Sequence, residues 1–147
     1  FGDYMKFERL REIREEHNLT QKQIAKILNV ERSTYAGWET GKDTIPLRRL
    51  NKLSDYYKVS IDYLTGLSNV TSKYRVIDLD AKVVGKNLRI LRKMHNLVQK
   101  DIFISLNTTS STYSAYETGK VLIKTDFLYT IAKKYHVSID ELLGKKN

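Results

Sequence analysis

The sequence contains no cysteine and a single proline, and its three histidines are scattered along the 147 residues. The absence of cysteine excludes disulfides and thiolate metal sites, and isolated histidines provide no cluster of metal ligands. No apolar run approaches the roughly 20 residues that a membrane-spanning helix needs, and no secretory signal peptide opens the chain. We therefore expect a cytoplasmic protein without metal, cofactor or membrane contact, in which Met5 is the native start and residues 1–4 are an addition.

Positive charge is the most pronounced feature of the composition. The chain holds 26 lysines and arginines against 17 aspartates and glutamates, which gives a net charge of +9. About +2 of this charge belongs to residues 1–70 and about +7 to residues 82–147. A surplus of positive charge favours an anionic partner such as a nucleic acid, although it also serves solubility.

The second half of the chain repeats the first half at a constant offset of 78 residues. HNLTQKQIAKILN (residues 17–29) aligns with HNLVQKDIFISLN (residues 95–107), and STYAGWETGK (33–42) aligns with STYSAYETGK (111–120). About 28 of roughly 63 positions from Phe7 to Asn69 are identical without a gap. Two copies of this size indicate two small domains, because a solenoid needs at least three repeats.

Each copy carries the pattern of a short helical bundle. In copy one, Leu10 and Ile13 mark the apolar stripe of a first helix, and Thr20 with Gln23 forms a capping box that opens a second. A third helix is predicted from Glu31 to about Thr40. The remaining predicted ends are marked by Asn18, by Gly41, by Pro46 in the first turn of helix four, and by Ser60 and Gly66 around helix five.

These patterns predict a first domain at residues 1–66, a linker at residues 67–79 and a second domain at residues 80–147. The linker is polar apart from an apolar alternation at Tyr74, Val76 and Leu79, so an extended segment and a short strand are both open. Asp80 is a predicted N-cap for a lengthened first helix of copy two. Fully extended, about 14 residues reach roughly 45 Å.

The combination of three motifs resembles the Cro/Xre-type, lambda-repressor-like helix-turn-helix repressors. In copy one the motifs read LTQKQIA (19–25), STYAGWETGK (33–42) and VSIDYL (59–64), and copy two repeats them in register. Copy two departs from the pattern at LVQKDIFIS (97–105) and at Tyr116, which replaces the tryptophan. The resemblance implies an all-α chain of two tandem five-helix domains that binds duplex DNA and regulates transcription, as a repressor.

The resemblance also implies which residues contact DNA. The predicted phosphate contacts are Gln21, Lys22 and Lys42 in copy one, and Gln99, Lys100 and Lys120 in copy two. The predicted base contacts lie on the third helices: Arg32, Ser33, Thr34 and Gly37 in copy one, and Ser110, Ser111, Thr112 and Ala115 in copy two. Of these, Arg32 alone has the side chain for a bidentate contact to guanine.

Other conspicuous residues have structural interpretations beside functional ones. The resemblance implies that Arg14 with Glu39, and Arg92 with Glu117, form buried ion pairs between the first and third helices rather than catalytic pairs. The aromatic residues of the third helices are expected in the core by their spacing; the alternative is a platform for stacking single-stranded bases. These residues are Tyr35, Trp38, Tyr113 and Tyr116.

Two alternatives to a DNA-binding repressor remain open, a protein-interaction module and an RNA-binding protein. An enzyme is not expected, because no nucleophile–base pair, glycine-rich phosphate loop or metal cluster is present. A protein-interaction module, such as an antitoxin or an inhibitor of a mobile element, is the main alternative, with the second domain as the protein-binding part. RNA binding is favoured only if the tyrosines are exposed. Joint binding of one DNA site by both copies is open, because the reach of the linker exceeds the roughly 34 Å between successive major-groove faces of DNA. A homodimer is also open.

Overall fold

The structure is a computed structural model that describes residues 5–71 and 75–146. Within these residues it contains ten α-helices and no strand, which confirms the predicted all-α class with two tandem helix-turn-helix domains. The chain divides into two compact units after residue 74, inside the segment predicted as a linker. Each unit holds five helices and is described by itself.

The helices of the two units correspond one to one. Those of the first unit are α1 (Glu8–Glu16), α2 (Gln21–Ile27), α3 (Arg32–Thr40), α4 (Leu47–Tyr57) and α5 (Ile61–Thr65). Those of the second unit are α6 (Ala81–Met94), α7 (Gln99–Ser105), α8 (Ser110–Glu117), α9 (Thr125–Tyr135) and α10 (Ile139–Leu142). No helix in the described ranges is both long and apolar enough to cross a membrane.

The helix ends follow the capping signals of the sequence. Thr20 Oγ1 accepts a hydrogen bond from the Gln23 backbone N–H at 3.1 Å, and Gln23 Oε1 accepts one from the Thr20 N–H at 2.8 Å. Gly41 ends α3 in the left-handed region at φ 83°, where glycine has no Cβ to clash. Pro46 is the N-cap of α4, one residue before the first turn predicted for it, because its ψ of 149° is extended.

Each unit buries one apolar core inside its five helices. The most deeply buried aliphatic side chains of the helices are 0% exposed in the first unit and at most 1% exposed in the second. In the first unit these include Leu10, Ile24, Leu28, Leu50 and Leu64; in the second they include Leu88, Ile102, Leu128 and Ile139. The burial of such side chains is the main stabilising contribution in a domain of this size.

Helix α6 is longer than its counterpart α1, with 14 residues against nine, and it passes close to the end of α8. Asp80 caps it by accepting a hydrogen bond from the Lys82 N–H at 2.9 Å, as the sequence predicts. Gly85 permits the approach, since a Cβ at this position would lie 2.6 Å from the carbonyl oxygen of Glu117. Only a residue without a side chain fits there.

Both ends of the predicted linker are held by their own unit. Arg9 of α1 donates a hydrogen bond to the Ser68 carbonyl at 2.7 Å. In the second unit, the Arg75 N–H donates to the Lys145 carbonyl. The described part of the linker forms no strand, and Tyr74 lies outside the described residues.

Candidate nucleic-acid interface

The second and third helices of each unit are joined by a tight turn with the same backbone geometry. After α2, Asn29 adopts the left-handed conformation at φ 57°, and the Val30 N–H donates to the Ala25 carbonyl at 2.9 Å. In the second unit Asn107 has φ 56°, and the equivalent backbone hydrogen bond is again 2.9 Å. A pair of short helices joined in this way is the helix-turn-helix, whose second helix enters the major groove of DNA.

A buried ion pair fixes the third helix to the first in both units. Arg14 donates from Nε to Glu39 Oε2 at 2.6 Å and from Nη2 to Oε1 at 3.1 Å. The corresponding distances between Arg92 and Glu117 are 2.7 and 3.1 Å. In each pair the arginine also donates to the carbonyl of the loop before the second helix, at 2.7 and 2.9 Å. The pairs therefore tie three elements together.

The charge state of these pairs follows from their hydrogen bonds. Burial alone would raise the pKa of the Glu39 carboxyl, but its hydrogen bonds, led by that from Arg14, outweigh burial and hold the pKa below its ordinary value. The hydrogen bond to Glu39 raises the pKa of Arg14. The pKa of Glu117 is lowered by Arg92 in the same way, against the opposing effect of burial. Both pairs are thus fully ionised at neutral pH.

Gln21 links the buried ion pair to the predicted base-reading residue. Its Nε2 donates to Glu39 Oε1 at 3.1 Å, and its Oε1 accepts a hydrogen bond from Arg32 Nη1 at 3.1 Å. Arg32 is exposed in the first turn of α3, so the contact orients the guanidinium without burying it. Gln21 is half-buried, and its predicted role as a phosphate contact would use the second N–H of its amide.

Most of the predicted contact residues of the first unit are accessible. Lys22 and Lys42 are exposed, as are Ser33 and Thr34 beside Arg32. Gly37 differs from the prediction that it lies on an exposed base-contacting face. It is buried, because the loop after α3 folds back and places Asp43 Oδ2 3.4 Å from where a Cβ of residue 37 would stand.

Lys26, which none of the predicted contacts includes, adds a positive charge to the surface between α2 and α3. A concave groove with a volume of about 750 Å³ lies between α2 and α3. It is lined by Lys22, Lys26 and Arg32, together with Asn29 and Glu31. Lys26 is exposed and stands one turn after Lys22 on α2. The i,i+4 spacing of these two lysines was the available signal, because residues four apart share a helix face.

The second unit presents a face of different chemistry. Gln99 Nε2 donates to Glu117 Oε1 at 3.1 Å, as Gln21 does to Glu39, but Ser110 stands where the first unit has Arg32. Ser110, Ser111, Lys100 and Lys120 are exposed, whereas Thr112 and Ala115 are half-buried. The turn of α8 that is predicted to contact bases therefore carries hydroxyl groups and no cation.

The aromatic residues of the third helices belong to the cores. Tyr35 and Trp38 are 0% and 5% exposed, and Tyr113 and Tyr116 are 1% and 4% exposed. Their rings meet edge to face within each pair, at centroid distances of 6.0 and 6.3 Å. The alternative of a stacking platform for single-stranded bases is therefore wrong for these four residues.

Family models place both units in one class of protein. A model described as helix-turn-helix matches residues 10–64, and one described as helix-turn-helix domain matches residues 85–147. The chain belongs to the helix-turn-helix family of DNA-binding regulators, and it carries two Xre-type domains in tandem. In the described residues no group of histidine, aspartate and glutamate side chains is arranged to hold a metal ion.

Curated relatives include regulators and an antitoxin. The chain is 38% identical over 82 residues to the HTH-type transcriptional regulator YobD of Bacillus subtilis, and 32% identical over 90 residues to the HTH-type transcriptional regulator ImmR of the same species. It is 30% identical over 63 residues to the antitoxin PezA of Streptococcus pneumoniae.

These matches cover the proteins to different extents. The match to YobD covers 56% of this chain and 66% of YobD. The match to ImmR covers 61% of this chain and 70% of ImmR. The match to PezA covers 43% of this chain and 40% of PezA. The chain thus spans less than half of PezA and about two thirds of the two regulators. No solved structure matches the chain.

Proposed function

We propose that the chain is a sequence-specific duplex-DNA-binding repressor of transcription, which reads the major groove with the third helix of one or both units. The observation that carries this proposal is the position of Arg32, exposed at the start of α3 and oriented by Gln21. An arginine presented in this way suits a bidentate contact to O6 and N7 of guanine. The regulators YobD and ImmR support the same class of function.

The surrounding side chains suit contacts to the DNA backbone. Lys22, Lys26 and Lys42 are exposed around α2 and α3 in the first unit, and Lys100 and Lys120 are exposed in the second. Phosphate contacts position a protein on DNA and supply affinity for any sequence. We therefore assign sequence choice mainly to the first unit and electrostatic affinity mainly to the second, whose residues 82–147 hold about +7 of the net charge.

Binding to duplex DNA is tested by gel shift with three probes of equal length. Duplex DNA, single-stranded DNA and RNA are each titrated at two salt concentrations with the full chain. We expect the tightest binding to duplex DNA and a steep loss of affinity with salt, because each phosphate contact releases counterions. Preference for RNA or single strands, or no binding at low salt, would contradict the proposal.

A second candidate function is protein binding by the second unit, and a difference between the copies favours it. Ile90, Met94, Val98 and Ile104 are all exposed, by 46% to 76%. The aligned positions of copy one hold charged or polar residues, namely Glu12, Glu16, Thr20 and Lys26. A contiguous patch of exposed apolar side chains marks an interaction surface, and Ile90 and Met94 line one groove.

The groove between α6 and α10 is the best-defined part of this surface. It has a volume of about 180 Å³ and is lined by Ile90 and Met94 on one side and Val137 and Leu142 on the other. In copy one, Arg9 stacks on the Tyr63 ring at 4.2 Å in the corresponding place. Glu141 also lines the groove, but Lys86, Arg89 and Lys93 are exposed on the same helix, α6, and residues 82–147 hold about +7 of the net charge. We infer that its occupant is a partner-protein segment with an apolar face edged by carboxylates.

Because the chain has no cysteine, a single thiol can report on this groove. A photo-crosslinker is attached at Met94→Cys, and the matched control carries it at Glu16→Cys of copy one. We expect the crosslinker to form an adduct with an acidic, apolar segment of another protein at position 94 and not at position 16. The adduct should be lost when Ile90→Glu is added to Met94→Cys. An adduct to a second copy would indicate a homodimer instead, and adducts at both positions or at neither would contradict the proposal.

A further inference from the structure

The loop after the third helix returns to that helix in both units, but with different chemistry. In the first unit the Asp43 N–H donates to the Gly37 carbonyl at 3.2 Å, and in the second the Val121 N–H donates to the Ala115 carbonyl at 3.4 Å. Residues 43 and 121 are aligned by the internal repeat, as are residues 37 and 115. The backbone therefore delivers the same loop position to the same place on the helix.

At this place the first unit presents a carboxylate and the second presents methyl groups. Gly37 has no side chain, and Asp43 Oδ2 lies 3.4 Å from the position its Cβ would take, so the aspartate occupies the space in its stead. Asp43 is exposed. In the second unit the Ala115 methyl is half-buried and Val121 is 49% exposed.

These two chemistries distinguish the two pyrimidines in the major groove. Cytosine presents the N4 amino group, which donates to a carboxylate, whereas thymine presents the O4 acceptor and the C5 methyl group. A carboxylate accepts from cytosine and is repelled by thymine O4. Alanine and valine methyl groups contact the thymine methyl and leave the cytosine amino group without a partner.

We propose that Asp43 and Val121 are specificity-determining residues at the same position of two related half-sites, where Asp43 selects cytosine and Val121 selects thymine. This inference rests on the proposed function, since it requires α3 and α8 to face the major groove. A carboxylate on a DNA-facing loop is repelled by the phosphates. A base amino group that donates a hydrogen bond to the carboxylate offsets this repulsion, so the protein binds sequences with that base more tightly than others.

The experiment selects binding sites from a random duplex library with the full chain and three variants. Asp43→Val installs the residue of the second unit, Val121→Asp makes the reciprocal exchange, and Asp43→Asn keeps the size of the side chain while removing its charge. Val121 already occupies the aligned loop position with the same backbone hydrogen bond, so the exchange is compatible with the fold. Circular dichroism melting of each variant checks this.

The expected result is a change at one base position of one half-site. The wild type should prefer cytosine at this position by about fivefold or more, which is the lower end of the discrimination that direct base contacts give. Asp43→Val should replace this preference with one for thymine. Val121→Asp makes the opposite change in the other half-site. Asp43→Asn weakens the preference, because an amide both donates and accepts. The guanine assigned to Arg32 is retained in all three variants.

Three results would overturn the inference. One is the same selected site for the wild type and Asp43→Val, bound with equal affinity. Another is an Asp43→Val chain that binds every sequence more tightly by the same factor, which would make Asp43 only a repulsive charge. Both leave DNA binding standing. A wild-type chain that enriches no sequence would overturn the proposed function together with this inference.

Discussion

Arg32 Nη1 donates a hydrogen bond of 3.1 Å to Gln21 Oε1, and this contact connects the exposed face of the first unit to its core. The same amide donates to Glu39, the buried partner of Arg14. A surface arginine ordinarily samples many rotamers, and fixing it costs conformational entropy on binding. Gln21 orients Arg32 in the unbound protein, so part of this conformational entropy is lost on folding and not on DNA binding.

Removal of the Glu39 carboxylate is predicted to destabilise the first unit. Glu39→Ala leaves the buried Arg14 guanidinium without its partner, and such a loss typically costs about 3–5 kcal/mol. Trp38 is the chain's single tryptophan and adjoins Glu39, so its fluorescence during urea titration reports on this unit. The exposed Glu12→Ala variant is the control. An unchanged unfolding midpoint for Glu39→Ala would show that the pair contributes no stability.

The two ion pairs predict an acid-sensitive stability. The pKa values of Glu39 and Glu117 are below the ordinary value in the folded chain, which is about 4.3 for an unfolded glutamate. Their contribution is therefore complete above the unfolded pKa and is lost as pH falls through the folded pKa. Urea midpoints measured from pH 7 to pH 3 should be level at first and then decline.

The double variant Glu39→Gln, Glu117→Gln provides the comparison for this pH dependence. It should be less stable than the wild type at pH 7, since the buried Arg14 and the half-buried Arg92 lose their counter-charges. Its stability should also decline less between pH 5 and pH 3. Parallel pH profiles for the two proteins would assign the acid sensitivity to other carboxylates.

Any side chain at position 85 is predicted to clash with the end of α8 and to destabilise the second unit. A Cβ at this position would lie 2.6 Å from the Glu117 carbonyl oxygen, and the contact is with backbone on the α8 side. Gly85→Ala should separate α6 from α8, at the cost of about 1–3 kcal/mol that overpacking brings. Hydrogen exchange of the α6 and α8 amides measures this. The neighbouring exposed substitution Lys86→Ala is the control, and equal protection in both variants would contradict the predicted clash.

The lysines of the second unit predict a particular salt dependence. Lys100→Ala and Lys120→Ala should each weaken binding to any duplex by a similar factor and reduce the salt slope by about one charge. Filter-binding titrations across a salt series determine both quantities. A variant that loses preference for one sequence but keeps its slope would show that the lysine contacts bases instead.

The sequence predicts the parts of this structure that depend on local signals. Thr20 with Gln23, and the glycine at position 41, mark helix ends through the backbone groups of their own neighbours, so the helices follow from the chain. The inward positions of Tyr35 and Trp38 follow from helical spacing. The ion pairs were expected from the family resemblance, and the structure joins Arg14 to Glu39.

Other features depend on contacts between segments, which carry no period in the sequence. The burial of Gly37 requires the return of the loop that carries Asp43, and the role of Gly85 requires the approach of α6 to α8. The Gln21–Arg32 contact joins two helices across a turn. Comparison of the two copies position by position was the one available signal for Asp43, because Val121 breaks an otherwise similar stretch.

We propose above all that Arg32 reads a base in duplex DNA. The most direct test of this proposal is an equilibrium titration of the wild type, Arg32→Ala and the control Arg11→Ala with a selected duplex and a random duplex at one salt concentration. Arg11 is exposed on α1, so its loss removes the same charge elsewhere. We predict that Arg32→Ala alone lowers the preference for the selected duplex by about 5- to 150-fold while its affinity for random DNA barely changes. Full retention of the preference by Arg32→Ala would show that Arg32 does not read a base.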